Sequence, residues 1–228
     1  MKMNLAEKAF SELFPEKKLN KRLVVKYSRA FNPYNANVKY NDCSMIFNLS
    51  HEWRSISDEI KIGLIQTLLI RVYKENKRTL NTELYENFIK KIGDYSEPEE
   101  SDPLLEKSFN RVNEKYFNGF MDKPNLKWGG NSFSQLGCYE YGSNTVIISR
   151  VLAEDEELLD YIMYHELLHK KHKFKSRNGR SYHHTKEFRR KEKEFDNPMI
   201  EEKLRRFLKK KKLRKIFKQR RRRFFNWF

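Results

Sequence analysis

The chain has 228 residues, 38% hydrophobic and 35% charged, which is enough apolar material for one large core or two small ones and too much for a disordered segment. The formal net charge is +17, from 48 Lys and Arg against 31 Asp and Glu. Cys43 and Cys138 lie far apart without a C-x-x-C partner, the N-terminus lacks a signal-peptide core, and no run approaches the ~20 apolar residues of a membrane span. A cysteine zinc site and a membrane span are thereby excluded, and a cytoplasmic or intracellular protein is expected.

The first predicted helix carries Leu5, Phe10 and Leu13 at helical spacing. Two short strands, Asn37–Tyr40 and Met45–Leu49, follow, joined at the turn-forming pair Asn41-Asp42. A long helix then opens with Ser55–Glu59, which supplies caps and acidic residues. A further helix holds Phe88. The polar stretch Tyr95–Pro103, with two prolines, reads as a boundary. The pattern then repeats. A helix carries Leu105, Phe109, Val112 and Tyr116, and strands Gln135–Tyr141 and Thr145–Ser149 flank the turn Gly142-Ser143-Asn144. A long helix begins with Glu154–Glu157, and a last helix holds Phe188 and Phe195.

Sliding the chain over itself by about 99 positions aligns these segments. Leu5–Phe10 falls on Leu104–Phe109, Ser50 on Ser149, and Ile62–Ile70 on Tyr161–His169. Two tandem copies of one α+β unit are therefore expected, each a helix, a short antiparallel sheet and a second long helix. The expected boundaries are 1–95 for the first copy, 96–103 for a linker, 104–197 for the second copy and 198–228 for a basic aromatic tail.

The second long helix contains His165-Glu166-Leu-Leu-His169, an H-E-x-x-H pattern. Residues four apart share a helix face, so both imidazoles can reach one ion, while Glu166 stands beside that ion and can take a proton from its water. Zn2+ lowers the pKa of such a water towards ~7 and polarises a substrate carbonyl, and the glutamate can carry the proton on to the leaving amine. A catalytic zinc needs a third protein ligand and one open position. His172, His183 and His184 are candidates, with Glu187 and Glu192 as weaker ones. His172, three beyond His169, reads as a surface residue. At the matching positions the first copy has Gln66, Thr67, Ile70 and Asn81, a poor ligand set.

Residues 104–195 resemble the catalytic domain of SprT-like (Spartan-type) zinc metalloproteases. The resemblance rests on H-E-x-x-H followed by His184-Thr-Lys-Glu-Phe188, on Tyr116-Phe117, on Trp128, on Gly137-Cys-Tyr139 and on Val146–Ser149. It implies a zincin-like arrangement of helix, short antiparallel sheet and active-site helix, with His165, His169 and His184 as ligands of one zinc ion and Glu166 as the catalytic residue. It also implies a peptide-bond hydrolase acting on nucleic-acid-associated proteins, of the DNA–protein crosslink type. Family members often carry a zinc ribbon after this domain; this chain has a basic tail there. The other reading is a nucleic-acid-binding protein with a non-catalytic zinc site. Tyr182 and His183 are candidates for an oxyanion-stabilising residue, and an extended substrate is expected to add to a sheet edge near Thr145–Ser149.

Between Lys186 and Arg223 stand 19 Lys or Arg against 6 Asp or Glu. Lys209, Lys210, Lys211 and Lys212, with Arg220, Arg221, Arg222 and Arg223, suit phosphate neutralisation, and the interleaved Phe residues suit stacking on unpaired bases, so DNA or RNA is an expected partner beside the protein substrate. A membrane-surface helix would need one continuous apolar stripe. Ile200, Leu204, Phe207 and Leu208 form one, but Leu213, Ile216 and Phe217 fall on the opposite side.

Overall fold

The computed structural model describes residues 3–93 and 101–225, apart from the side chains of 177, 216 and 218–225. Most of the expected linker 96–103 lies outside the described residues. The chain forms two compact units: Met1–Ser96 with Tyr141–Asn144 and Lys173–Thr185, and Glu97–Glu140 with Thr145–His172 and Lys186–Phe228. Both are α+β.

The first unit opens with α1 (Leu5–Leu13). Asn4 caps it: its Oδ1 accepts from the amides of Ala6 and Glu7, and Glu7 accepts from the Asn4 amide in return, which satisfies donors the helix leaves open. Strands β1 (Arg22–Ser28), β2 (Ala36–Tyr40) and β3 (Ser44–Ser50) follow. After a short 3-10 turn, His51–Ser55, come α2 (Asp58–Tyr73) and α3 (Leu80–Ile92). Strand β3 is central. It pairs in parallel with β1, from Arg22↔Ser44 to Ser28↔Ser50, and antiparallel with β2, from Ala36↔Leu49 to Tyr40↔Met45. Alternation along β3 sends Met45, Phe47 and Leu49 into a core with Phe10, Phe14, Trp53, Ile65 and Leu69. Trp53 is fully buried, edge-on to Tyr34 at 5.6 Å.

The second unit repeats that order. Its elements are α4 (Pro103–Phe117), β4 (Asn125–Gly129), β5 (Gly137–Glu140), β6 (Thr145–Ser149), a 3-10 turn at Arg150–Leu152 and α5 (Glu156–His172). The hairpin β7 (Lys175–Arg177) and β8 (Arg180–Tyr182) belongs with the first unit; α6 (Lys186–Glu192) and α7 (Ile200–Phe225) return to the second. The strand order β4-β6-β5 matches β1-β3-β2, again with a parallel pair and an antiparallel pair. Asp160 ties α5 to α4: Arg111 donates to both its oxygens at 2.8 and 2.7 Å, and Ser108 donates at 2.6 Å.

Two expectations are corrected. The sheets holding β3 and β6 have three strands rather than an antiparallel pair, because β1 and β4 pair in parallel with strands that do not follow them directly, and such a pair leaves no hairpin turn in the sequence. The expected edge at Thr145–Ser149 is the middle strand β6; the edges of that sheet are β4 and β5.

The basic tail is helical through Phe225. Ile200 is buried, whereas Leu213 and Phe217 of the second stripe are 48% and 62% exposed. Lys203 bridges Asp155 and Glu157 at 2.7 and 2.8 Å, and Lys211 pairs with Glu154. The side chains of Arg220, Arg221, Arg222 and Arg223 lie outside the described ones. Among the described residues no helix is long and apolar enough to cross a membrane. Cys43 and Cys138 are both free thiols.

Removing the Trp53 ring deletes a fully buried side chain, so Trp53→Ala should cost about 3–5 kcal/mol of unfolding free energy. Leu213→Ala on the exposed side of α7 should change it by less than about 0.5 kcal/mol. Urea titrations followed by near-UV circular dichroism compare the two.

Candidate metal centre and active site

Helix α5 forms because two requirements coincide along one stretch. Leu158, Leu159, Ile162, Met163, Leu167 and Leu168 are buried at helical spacing. The carboxylate of Asp155 accepts from the Leu158 amide at 3.1 Å, and Glu156 and Glu157 occupy the first turn, where negative charge is favoured. Lys170, Lys171 and His172 fill the last turn, where positive charge is favoured.

His165 and His169 lie one turn apart on this helix, and their Nε2 atoms are 3.2 Å from each other. His184 joins them: one ring nitrogen from each of His165, His169 and His184 lies within 4.8 Å of the others. Three converging imidazole nitrogens are a borderline, neutral donor set that suits a zinc-sized divalent ion and leaves room for a non-protein ligand. The residues present therefore fit the metal that the sequence implies.

Helix α6 backs the two histidines of α5. It is tied there by Tyr164, whose hydroxyl donates to the Lys191 carbonyl at 2.5 Å. Phe188 is buried and lies 5.1 Å from the His165 ring and 4.6 Å from the His169 ring. One turn later, Glu192 Oε1 is 2.6 Å from His165 Nδ1. In the metal-free protein burial alone would lower the His165 pKa, but the hydrogen bond to Glu192 and the charges of Glu166 and Glu192 outweigh it and raise it.

Glu166 is 4% exposed and lies against the first residue of β5. A Cβ at Gly137 would stand 2.3 Å from its Oε1, so the glycine makes room for the carboxylate. Burial pushes the Glu166 pKa up to about 7, partly offset by His165 and by a hydrogen bond from the Tyr139 backbone. A carboxyl near neutrality can both accept and release a proton at physiological pH. Its cleft has a volume of about 470 Å³ and is lined by Gln135, Gly137, Tyr161 and Ile162 on one side and by Glu201 and Leu204 of α7 on the other.

The remaining candidates have other surroundings. His172 is not a surface residue: its side chain is 11% exposed, with Nδ1 3.8 Å from Glu187. His183 faces the Tyr141 hydroxyl at 3.3 Å, and Tyr182 is half exposed. In the first unit, Gln66 is buried and accepts from Thr79 Oγ1 at 2.5 Å, Thr67 donates to the Gly63 carbonyl at 2.8 Å, Ile70 is core, and Asn81 donates to Glu12 at 3.0 Å. These four side chains serve packing and internal hydrogen bonds. Sequence reasoning assigned no role to Tyr161, Leu204 or Glu201 beside the cleft; the i, i+4 spacing of Tyr161 and His165 was the available signal for the first.

The segment 105–208 matches the SprT-like family. No curated protein and no solved structure matches the chain. The SprT-like segment runs from α4 through the first turns of α7, so it includes α6 and the α7 residues that wall the cleft.

The raised Glu166 pKa gives the metal-free protein a pH signature. An unfolded Glu titrates near ~4.3 and the folded one near 7. Between these values the folded state binds the extra proton, so stability must fall as pH rises. Glu166→Gln removes that cost. Its stability gain over the metal-free wild type should grow by about 2–3 kcal/mol between pH 5 and pH 8, read from urea unfolding at each pH.

Proposed function

We propose that the SprT-like segment is a zinc-dependent metalloendopeptidase, with His165, His169 and His184 holding one Zn2+ and Glu166 as the catalytic acid–base. The observation that carries this reading is the convergence of three imidazole nitrogens beside a buried carboxylate whose pKa is raised to about 7. The family match supports it, since SprT-like proteins are in general zinc metalloproteases. Bound zinc supplies Lewis-acid polarisation of the scissile carbonyl and of the attacking water. Glu166 takes the proton of that water on a carboxylate oxygen and delivers it to the leaving amine. Burial of Glu166 against Gly137 keeps the carboxylate aimed into the cleft. An extended substrate pairs with β5, an edge strand beside Glu166, through main-chain hydrogen bonds.

The first unit we read as a metal-free copy of the second. The shared strand order and the aligned α2 and α5 support a duplication, and Gln66, Thr67, Ile70 and Asn81 supply core contacts where the second copy has its ligands and base.

The substrate class we infer is protein held on nucleic acid. Helix α7 has its first turns at the cleft and a run of Lys and Arg beyond them. Lys212 and Lys215 stand over the Phe133 ring at 6.0 and 5.5 Å, which joins cations to an aromatic platform.

Glu166→Gln should keep one zinc per chain and lose at least about a thousandfold in peptide-bond cleavage. Full cleavage by this variant, or none by the wild type on a nucleic-acid-bound protein, would contradict the enzyme reading and favour a non-catalytic zinc. The triple change Lys209→Gln, Lys210→Gln and Lys212→Gln should weaken nucleic-acid binding at every sequence and reduce the slope of log affinity against log salt by about 2–3. Fluorescence anisotropy at several salt concentrations reads it, and an unchanged slope would remove these lysines from the interface.

A further inference from the structure

Glu192, in the cleft wall, touches His165 of the metal centre from behind. Its Oε1 lies 2.6 Å from His165 Nδ1, whereas the Nε2 atom of the same ring faces His169 Nε2 at 3.2 Å. The two nitrogens of His165 are thus used on opposite sides. Glu192 is not part of the ligand cluster, and its carboxylate can only accept, so the hydrogen on this bond belongs to Nδ1. A ring that carries its proton on Nδ1 presents a lone pair at Nε2, the atom a metal needs; free histidine in water favours the other tautomer. We propose that Glu192 is the positioning residue of the metal centre, holding His165 as the Nδ1–H tautomer with Nε2 turned to the ion.

The surroundings are built for that role. Side-chain exposures of 22% for His165 and 21% for Glu192 keep the contact largely out of water, where a charge-assisted bond is stronger. Tyr164 fixes the preceding residue, Lys191, by its backbone carbonyl. Phe188, one turn before Glu192, packs near-perpendicular to the His165 ring at 5.1 Å and tilted against the His169 ring at 4.6 Å. Tyr161, one turn before His165, is buried, and burial together with the neighbouring Glu192 charge holds its phenol protonated. The order Tyr161, Glu192, His165 is a chain of support ending at the metal position. Such outer partners orient a ligating imidazole and raise its basicity.

The proposal rests on the metallopeptidase reading for its purpose, but its test has readouts that do not need activity. In the metal-free full-length chain, the 15N shifts of His165 should report Nδ1–H for the wild type. Glu192→Gln, whose amide oxygen can still accept, should keep that tautomer, and Glu192→Ala should lose it. Zinc affinity from chelator competition should fall about 10–100-fold in Glu192→Ala and less in Glu192→Gln. Unfolding curves of the metal-free variants establish that each is folded. Wild-type zinc affinity together with an unchanged His165 tautomer in Glu192→Ala overturns the positioning role while leaving the metallopeptidase reading intact. A wild-type chain that takes up no zinc overturns the reading of the site itself, and this role with it.

Discussion

One helical turn sets the terms for the rest of the second unit. The spacing of His165 and His169 puts two imidazoles on one side of α5, and Glu166, about 100° round the helix from His165, then turns towards the sheet. That constraint fixes its neighbours. A side chain at the start of β5 would collide with the Glu166 carboxylate, so Gly137 stands there. The helix itself must be held at fixed depth, and the bidentate Arg111–Asp160 pair with Ser108 does so. Breaking such a pair strands a carboxylate in a part-buried setting, which is costlier than the net worth of the bond.

The same fold without the turn of histidines shows what the constraint demands. In α2 the corresponding stretch is Gln66, Thr67 and Ile70, and each is absorbed by its own unit: Gln66 by Thr79, Thr67 by the carbonyl of Gly63, Ile70 by the core. Gly63 lets α3 approach, since a Cβ there would stand 1.9 Å from the Asn81 carbonyl oxygen. Polar groups at these positions are satisfied internally, as buried polar groups must be. The second unit instead turns its polar groups to a cleft, where α6 places Glu192 and Phe188 beside the histidines.

Much of this was legible in the sequence, for identifiable reasons. Helices α1, α2, α4 and α5 declare themselves by apolar spacing and acidic first turns, and the strands on either side of Asn41-Asp42 and of Gly142–Asn144 by their turns. The H-E-x-x-H spacing is a statement about one helix, so it survives without tertiary knowledge. Strands β1 and β4 were missed because a parallel partner lies far along the chain, although Leu23-Val24-Val25 carried a β-branched signal. The order β4-β6-β5, and with it the true edge strand, depends on that missed pairing. The tail reads as charge in sequence and as a long helix in three dimensions, and its first turns wall the cleft because Ile200 has somewhere to bury. Glu192 was visible only as a possible ligand; that it faces Nδ1 rather than the metal side of His165 is a fact of packing between α5 and α6.

The central claim is that three imidazoles, and among them the one at position 184, share a single divalent ion. X-ray absorption at the zinc edge of the loaded full-length protein, compared with a His184→Ala variant, tests it directly. The account predicts three imidazole nitrogens at about 2.0–2.1 Å with a light non-protein ligand completing the shell in the wild type, and one imidazole fewer in the variant. Sulfur in the shell, or a spectrum unchanged by the loss of His184, would contradict it.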